Sequence, residues 1–257
     1  MALFHKKPSY RDERGGVKYL DGSALARPID MPKPQKVVMG VFVAVAAVIG
    51  VYLLVTVIGG MQASTEKSQT SVEENLSRPV ALNLPQLAQL VELDDDAIRQ
   101  TLNASGETIY EAPQTTDTGL DLVKLPSDVS LAEGGVLYAK GISSLNASDA
   151  TRLLNGMWDL SVSRESGVNM RVRYADFTSG SLDAAVQSAI KAEGFDPATT
   201  PADGKGVDDA GNTYQSGTVS VNGTTYTWRV SAVALSSVYS VSGLPDSALY
   251  VGIRLSN

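Results

Sequence analysis

The chain has 257 residues, a formal net charge of −7, a single histidine and no cysteine. The histidine is His5, so residues 6–257 lack the side chains of a Ser-His-Asp triad, a Cys-His nucleophile or a His/Cys zinc site. The absence of cysteine also excludes disulfide bonds.

Residues 1–36 form a basic N-terminal tail with eight Lys/Arg against four Asp/Glu. The tail lacks apolar periodicity and contains four prolines, so it is predicted to be mostly disordered and to lie against membrane lipid. Residues 62–257 carry thirteen Lys/Arg and twenty-four Asp/Glu, a net charge of −11. A basic tail therefore precedes a strongly acidic C-terminal part.

Between these parts, residues 37–61 contain no charged side chain and no proline. A helix of this length extends about 37 Å, which exceeds a hydrocarbon core of roughly 30 Å. The segment is predicted to be a transmembrane helix, and the 36 residues before it are too many for a cleaved signal peptide. Lys33 and Lys36 precede it, whereas Lys67 alone follows closely, so we expect a single-pass cell-membrane protein with a cytoplasmic N-terminus.

Small residues within the transmembrane segment are spaced for close helix packing. Gly40 and Ala44 form one small-x3-small pair, and Ala46 and Gly50 form another. This spacing allows two helix backbones to approach closely in a bilayer. The segment therefore carries a hypothesis of homodimerisation, or of packing against other membrane proteins.

Residues 62–80 are polar and are predicted to be a linker or a fraying helical extension of the membrane span. Residues 81–112 are predicted to form a small helical annex, because apolar residues recur at helical spacing in two short stretches between Leu84 and Asn103. Asp94 or Asp95 is expected to cap the second helix. A short strand at 108–110 would follow.

Residues 113–257 are predicted to be an exported α+β domain. Its expected elements are a strand at 136–139, a helix at 149–155 capped by Ser148, a hairpin of 158–163 and 168–173, a helix from Ser181 to Gly194, a second hairpin turning at Asn222-Gly223, and a strand at 249–255. The order β-α-β-β-α-β followed by two strands resembles the split βαβ, ferredoxin-like arrangement with extra strands. We therefore expect a mainly antiparallel sheet with helices on one face.

Carboxylate chemistry is the catalytic class that this composition leaves open. A wall-glycan hydrolase needs two Asp/Glu at one cleft, one of them with a raised pKa. The densest acidic run lies at 92–96, where helix capping on a solvated face is the simpler interpretation. Trp158 and Trp228 fall on apolar strand faces, so they are predicted to belong to the core instead of a sugar-binding cleft.

Cofactor and metal sites are not indicated. The acidic loop 203–212 has the composition of a calcium loop, but Lys205 and Val207 break the required alternation, which leaves ion binding there open. Ser188 to Lys191 matches S-x-x-K without a following K-T-G. A nucleic-acid partner is not expected for a domain of net charge −11. No catalytic, cofactor or metal residue is assigned.

One basic group stands out in the acidic domain. Arg164, Arg171 and Arg173 surround the predicted turn of the first hairpin, and the last two share one strand face. Two interpretations fit this patch: an ordinary solvated strand face whose arginines pair with Asp159 or Glu165, which is the simpler one, or a docking site for an acidic envelope protein or an anionic wall polymer. The favoured hypothesis is a membrane-anchored, non-catalytic binding or scaffolding protein within an envelope complex. The alternatives are a carboxylate-dependent hydrolase and an extracytoplasmic ligand or ion sensor.

Overall fold

A computed structural model of the chain describes residues 69–112 and 119–257, all within one compact unit. The predicted transmembrane segment 37–61, with Gly40, Ala44, Ala46 and Gly50, lies outside the described residues. Among the residues that are described, no helix has the length and apolar character needed to cross a membrane.

The helices and strands alternate irregularly along the chain. The helices are 69–77 (α1), Leu87–Leu90 (α2), Asp95–Ala104 (α3), Leu131–Lys140 (α4), Ala147–Leu154 (α5) and Leu182–Glu193 (α6). The strands are Ile109–Glu111 (β1), Gly119–Lys124 (β2), Trp158–Ser163 (β3), Asn169–Asp176 (β4), Lys205–Val207 (β5), Thr213–Val221 (β6), Thr224–Ala234 (β7) and Leu249–Ser256 (β8).

The eight strands form one sheet in the order β1-β2-β3-β4-β8-β7-β6-β5. Every neighbouring pair is antiparallel. The predicted α+β class and antiparallel sheet are confirmed. The ferredoxin-like split βαβ arrangement is wrong, because it requires a strand inserted between two parallel strands that a helix connects, whereas β2 and β3, connected through α4 and α5, pair directly and antiparallel.

The predicted strand at 136–139 is also wrong, since these residues lie within helix α4. Ser130 caps this helix by accepting a hydrogen bond from the backbone N–H of Glu133. Gly134 lies against Leu125, whose side chain an added Cβ would overlap. The glycine therefore serves close packing here and does not end the helix.

Two apolar clusters lie on opposite faces of the sheet. Adjacent strand residues divide between them: Leu122 and Tyr174 belong to the first cluster, and Val123 and Ala175 to the second. Helices α2, α3 and α6 contribute to the first cluster, and α4 and α5 to the second. The expectation of helices on one face is therefore wrong, and α4 and α5 cover part of the opposite face.

The first cluster contains both tryptophans, as predicted. Trp158 and Trp228 are 1% and 0% exposed, and Phe195 stacks on Trp228 with ring centroids 5.1 Å apart. Residues 81–112 pack into this cluster through Leu87 and Ile98, both fully buried. This stretch therefore shares the main core, and strand β1 extends the sheet.

Local signals account for several elements. Asp94 caps α3, and Ser181 and Gly194 begin and end α6, as predicted. Helix α5 begins two residues earlier than expected, because Asn146 caps it instead of Ser148. The β6–β7 turn at Asn222-Gly223 is confirmed, with positive φ at both residues.

Candidate functional site

Four arginines lie together on the sheet face that α4 and α5 leave uncovered. Arg171 and Arg173 point to the same side of β4, opposite to buried Val172. Arg171 lies directly opposite Arg254 on β8, and Arg254 lies directly opposite Arg229 on β7. We call Arg171, Arg173, Arg229 and Arg254 the arginine face.

The cross-strand row through this face is unusual in its charge. Directly opposite residues of antiparallel strands have Cβ atoms about 5 Å apart, and like charges in that position destabilise a sheet. The row holds three consecutive arginines, continues through Ser161, and reaches its first carboxylate at Asp121 on β2. The sheet therefore concentrates positive charge at positions where side chains that are neutral, or that alternate in sign of charge, would make it more stable.

Most arginines of the domain are neutralised within the chain, but two of the face are not. Of the eight arginines in the described residues, six form ion pairs with a carboxylate: Arg78, Arg99, Arg152, Arg164, Arg173 and Arg229. Arg171 and Arg254 form no ion pair with any described residue, and both are exposed. The unpaired guanidinium groups are thus the two that lie directly opposite each other.

Arg173 is the structural member of the face. Its Nε donates to Asp159 Oδ1 at 2.6 Å, and its Nη2 donates to Ser161 Oγ at 3.3 Å. Burial raises the pKa of Asp159, and the Arg173 guanidinium opposes that rise. Because Asp159 is only 8% exposed, Arg173 compensates a buried charge and is held towards β3.

Arg229 is held at the other side of the face. Its Nη2 donates to Asp208 Oδ2 at 2.7 Å, and its guanidinium carbon lies 3.9 Å from the ring centroid of Tyr214. Asp208 also accepts the side-chain and backbone N–H groups of Asn212, and these hydrogen bonds hold its pKa below the usual range. The acidic loop 203–212 thus uses this carboxylate to shape its turn and to fix Arg229.

A groove of about 290 Å³ runs beside the four guanidinium groups. Gly252 and Ser231 lie between the arginines and form its floor, while Tyr250 and Val233 line the end nearer the second cluster. An added Cβ at Gly252 would meet its nearest neighbour, Ser231 Oγ, at an ordinary 3.5 Å. The missing side chain therefore leaves open space in the groove.

Arg164 lies apart from this groove. Its Nη2 donates to the backbone oxygen of Leu93 at 2.6 Å, and its Nε lies 3.4 Å from Asp95 Oδ1. It therefore connects the β3–β4 turn to the start of α3. Of the three arginines singled out in the sequence, the structure brings Arg171 and Arg173 together with Arg229 and Arg254, and places Arg164 elsewhere.

A second cavity, of about 410 Å³, lies on the other side of the molecule near the ends of β4 and α6. Asp176 lines it, but both of its oxygens accept hydrogen bonds from Thr178 and Ser179, which lower its pKa against the effect of burial. Tyr174 also lines the cavity, and Glu193, which is not a lining residue, lies near Tyr174 and is 4% exposed. Burial raises the pKa of Glu193 to about 7.

Metal ligands are not grouped in the part of the chain that the structure describes: no three His, Cys, Asp or Glu side chains there are placed to hold an ion. The S-x-x-K residue Ser188 lies at the rim of the second cavity, on the exposed side of α6. Within the described residues, neither the acidic side chains nor Ser188 forms a pair of nucleophile and base.

No family model, curated protein or solved structure matches the chain.

Sequence reasoning missed Arg229 and Arg254, and the reason is physical. Arg229 lies between buried Trp228 and Val230, and Arg254 lies between buried Ile253 and Leu255. This alternation predicts that each arginine lies on the polar face of its strand. It does not predict the pairing of β8 with both β4 and β7, because strand order depends on long-range contacts.

Proposed function

We propose that the chain is a membrane-anchored envelope protein whose C-terminal domain binds an anionic partner without catalysis. Residues 37–61 would form the single membrane span, with the basic tail in the cytoplasm and the domain outside. The partner would be an acidic envelope protein or an anionic wall polymer. The protein would serve as a binding or scaffolding component of a membrane-associated complex.

The directly opposed, unpaired Arg171 and Arg254 carry this proposal. Residues 62–257 have almost twice as many Asp/Glu as Lys/Arg, 24 against 13. Pairing every arginine internally would therefore have been easy for this chain. Two exposed guanidinium groups facing each other across β4 and β8 are an energetic cost in the free domain. A partner that supplies negative charge would remove that cost on binding.

The test is affinity purification of the full-length chain from membranes with partners retained. The Arg171→Glu/Arg254→Glu variant is expected to lose the bound partner, because it reverses both unpaired charges while leaving the Arg173–Asp159 pair intact. The matched control is Lys140→Glu/Lys191→Glu, which changes net charge equally at exposed helix positions outside the groove. Unchanged partners in the arginine variant, or equal loss in the lysine variant, would contradict the proposal.

A carboxylate-dependent hydrolase is the second candidate, and one observation favours it. The pKa of Glu193 is raised while that of Asp176 is lowered, and both carboxylates lie close enough to Tyr174 to contribute, after burial, to the rise in its pKa. Opposed pKa shifts are the pattern of acid and base pairs. It ranks second because Glu193 Oε2 already accepts the Leu87 N–H at 2.8 Å in a buried site.

Wall-glycan turnover separates these candidates. The hydrolase hypothesis predicts that full-length protein releases reducing sugar ends from wall glycan and that Asp176→Asn abolishes this release. Absence of release by the folded wild-type chain would remove the hydrolase hypothesis.

A further inference from the structure

We infer that the ligand of the arginine face is a linear polyanion whose charges are phosphodiester groups. This inference rests on the proposed binding function and specifies the chemistry of the partner. It is carried by the directions in which three of the four guanidinium groups are held, by the position of Arg171 beside them, and by the shape of the groove.

The guanidinium groups are spread out and do not converge on one point. Arg173 is held towards β3 by Asp159, and Arg229 is held towards β6 by Asp208 and Tyr214. The Arg254 Nε donates to Asn169 Oδ1 at 2.8 Å, which draws it towards one end of β4. Neighbouring strands are about 4.8 Å apart, so the charges form a line across β4, β8 and β7. A line of fixed cations matches repeated anionic groups along a chain better than one small ion.

Phosphate fits the directly opposed pair better than carboxylate does. A carboxylate accepts hydrogen bonds in one plane, so a second arginine must approach a carboxylate that already holds a bidentate arginine from the edge of that same plane. The two charged oxygens of a phosphodiester lie on a tetrahedral phosphorus and accept outside a single plane, so Arg171 and Arg254 can both donate to one group from opposite sides. Each guanidinium has five N–H donors. Within the described residues, one of the Arg254 donors, Nε, forms a hydrogen bond, to Asn169 Oδ1.

The groove between the cations suits the neutral linkers of such a polymer. Its floor is Gly252, without a side chain, and the hydroxyl of Ser231, and Tyr250 lines one end. Small polar linkers such as glycerol would lie here without burying apolar surface. Nucleic acid is less well matched, because it binds through aromatic rings that stack on bases. Of the tyrosines at or beside this groove, Tyr214 already faces Arg229 from outside it, and Tyr250 packs edge-on against Tyr239.

The test is equilibrium binding of the full-length protein, purified in detergent, to oligomers of equal charge number at one ionic strength. The probes are a synthetic oligo(glycerol phosphate), an oligoglutamate, an oligothymidylate and monomeric glycerol 3-phosphate. The glycerol phosphate oligomer is expected to bind at least about tenfold more tightly than each of the others. Binding should weaken as salt is added, because exposed charges are screened.

Two variants locate the site. Arg171→Gln/Arg254→Gln is expected to weaken oligomer binding at least about tenfold by removing both unpaired cations. Gly252→Val should do the same by filling the groove, without changing charge and with an ordinary contact at its Cβ. Lys140→Gln/Lys191→Gln is the control and should bind as wild type does. Circular dichroism confirms that each variant is folded.

The outcomes separate this inference from the function on which it rests. Tighter binding of oligoglutamate would overturn the phosphodiester assignment but leave an anion-binding face. Tighter binding of oligothymidylate would keep the phosphodiester groups and overturn the small polar linker. Equal binding of glycerol 3-phosphate and its oligomer would overturn the polymer. Binding that survives in both the arginine and the glycine variants would overturn the assignment of the face. Failure of all four probes, combined with loss of partners in the purification experiment, would overturn this inference alone.

Discussion

At the scale of single residues, Glu193 is the buried group with an unsatisfied atom. Its Oε2 accepts a hydrogen bond from Leu87, but its Oε1 has no hydrogen-bond partner within the described structure. Burial raises its pKa to about 7, well above the usual value near 4.3. The folded state therefore holds the Glu193 proton more tightly than the unfolded chain does.

This shift sets a pH dependence of stability. The contribution of Glu193 is fully present below about pH 4.3 and is lost as pH rises through about 7. Glu193→Gln keeps a carbonyl oxygen for Leu87 and has no charge to bury. We expect it to be more stable than wild type by about 3 to 4 kcal/mol at pH 8 and nearly equal at pH 4. Urea unfolding at both pH values measures the difference.

Asp183→Asn, an exposed change on the same helix, is the control and should alter neither value. Parallel stability curves for wild type and Glu193→Gln across this range would contradict the assigned burial of the carboxylate.

Single residues also show where sequence reasoning reached its limit. Arg171 and Arg173 were predicted to share a strand face, because alternation with apolar neighbours is local. Arg164 was grouped with them by proximity in sequence, although it lies in a turn and bonds to Leu93. Arg254 was not grouped with them, because it is 83 positions from Arg171 and meets it only through strand pairing.

At the scale of elements, the strands were easier to predict than their order. Hairpins β3–β4 and β6–β7 were predicted from alternation and turn residues. Helix α4 was misread because Gly134-Gly135 resembles a breaker. The Ser130-x-x-Glu133 capping box was the signal that identifies it. Strand β2 was missed although Leu120 and Leu122 alternate, because prolines on both sides suggested an irregular stretch.

The row of opposed arginines gives a prediction for strands β4, β8 and β7. Arg254→Thr removes the central cation and introduces a residue that favours strands. We expect the free protein to gain about 0.2 to 1 kcal/mol in stability, while partner binding weakens. Thermal unfolding and affinity purification of the same variant measure the two effects.

Arg164→Thr is the comparison, because it removes an ion-paired arginine outside the groove. It should bring no gain in stability and no loss of binding. A destabilised Arg254→Thr variant would show that Arg254 supports the sheet, and would contradict a role in binding at the expense of stability.

At the scale of the whole molecule, the division of charge predicts the location of the chain. Residues 1–36 have a net charge of +4 and residues 62–257 a net charge of −11, on either side of an uncharged segment. The full-length chain is expected to sediment with membranes and to remain there after an alkaline wash. Deletion of residues 37–61 should release it. Immunoblotting of the membrane and soluble fractions measures where the chain is. Release of the full-length chain by alkali would contradict the prediction that residues 37–61 anchor it.

The most direct test of the central claim is site-specific photocrosslinking in intact membranes. A photoreactive residue at Thr227, exposed beside the arginine face, is expected to give a covalent adduct of slower mobility on a gel. The same residue at Asp183, on the helix that covers the opposite sheet face, should give none. An adduct from Asp183 but not from Thr227 would contradict the claim that the arginine face is the binding surface.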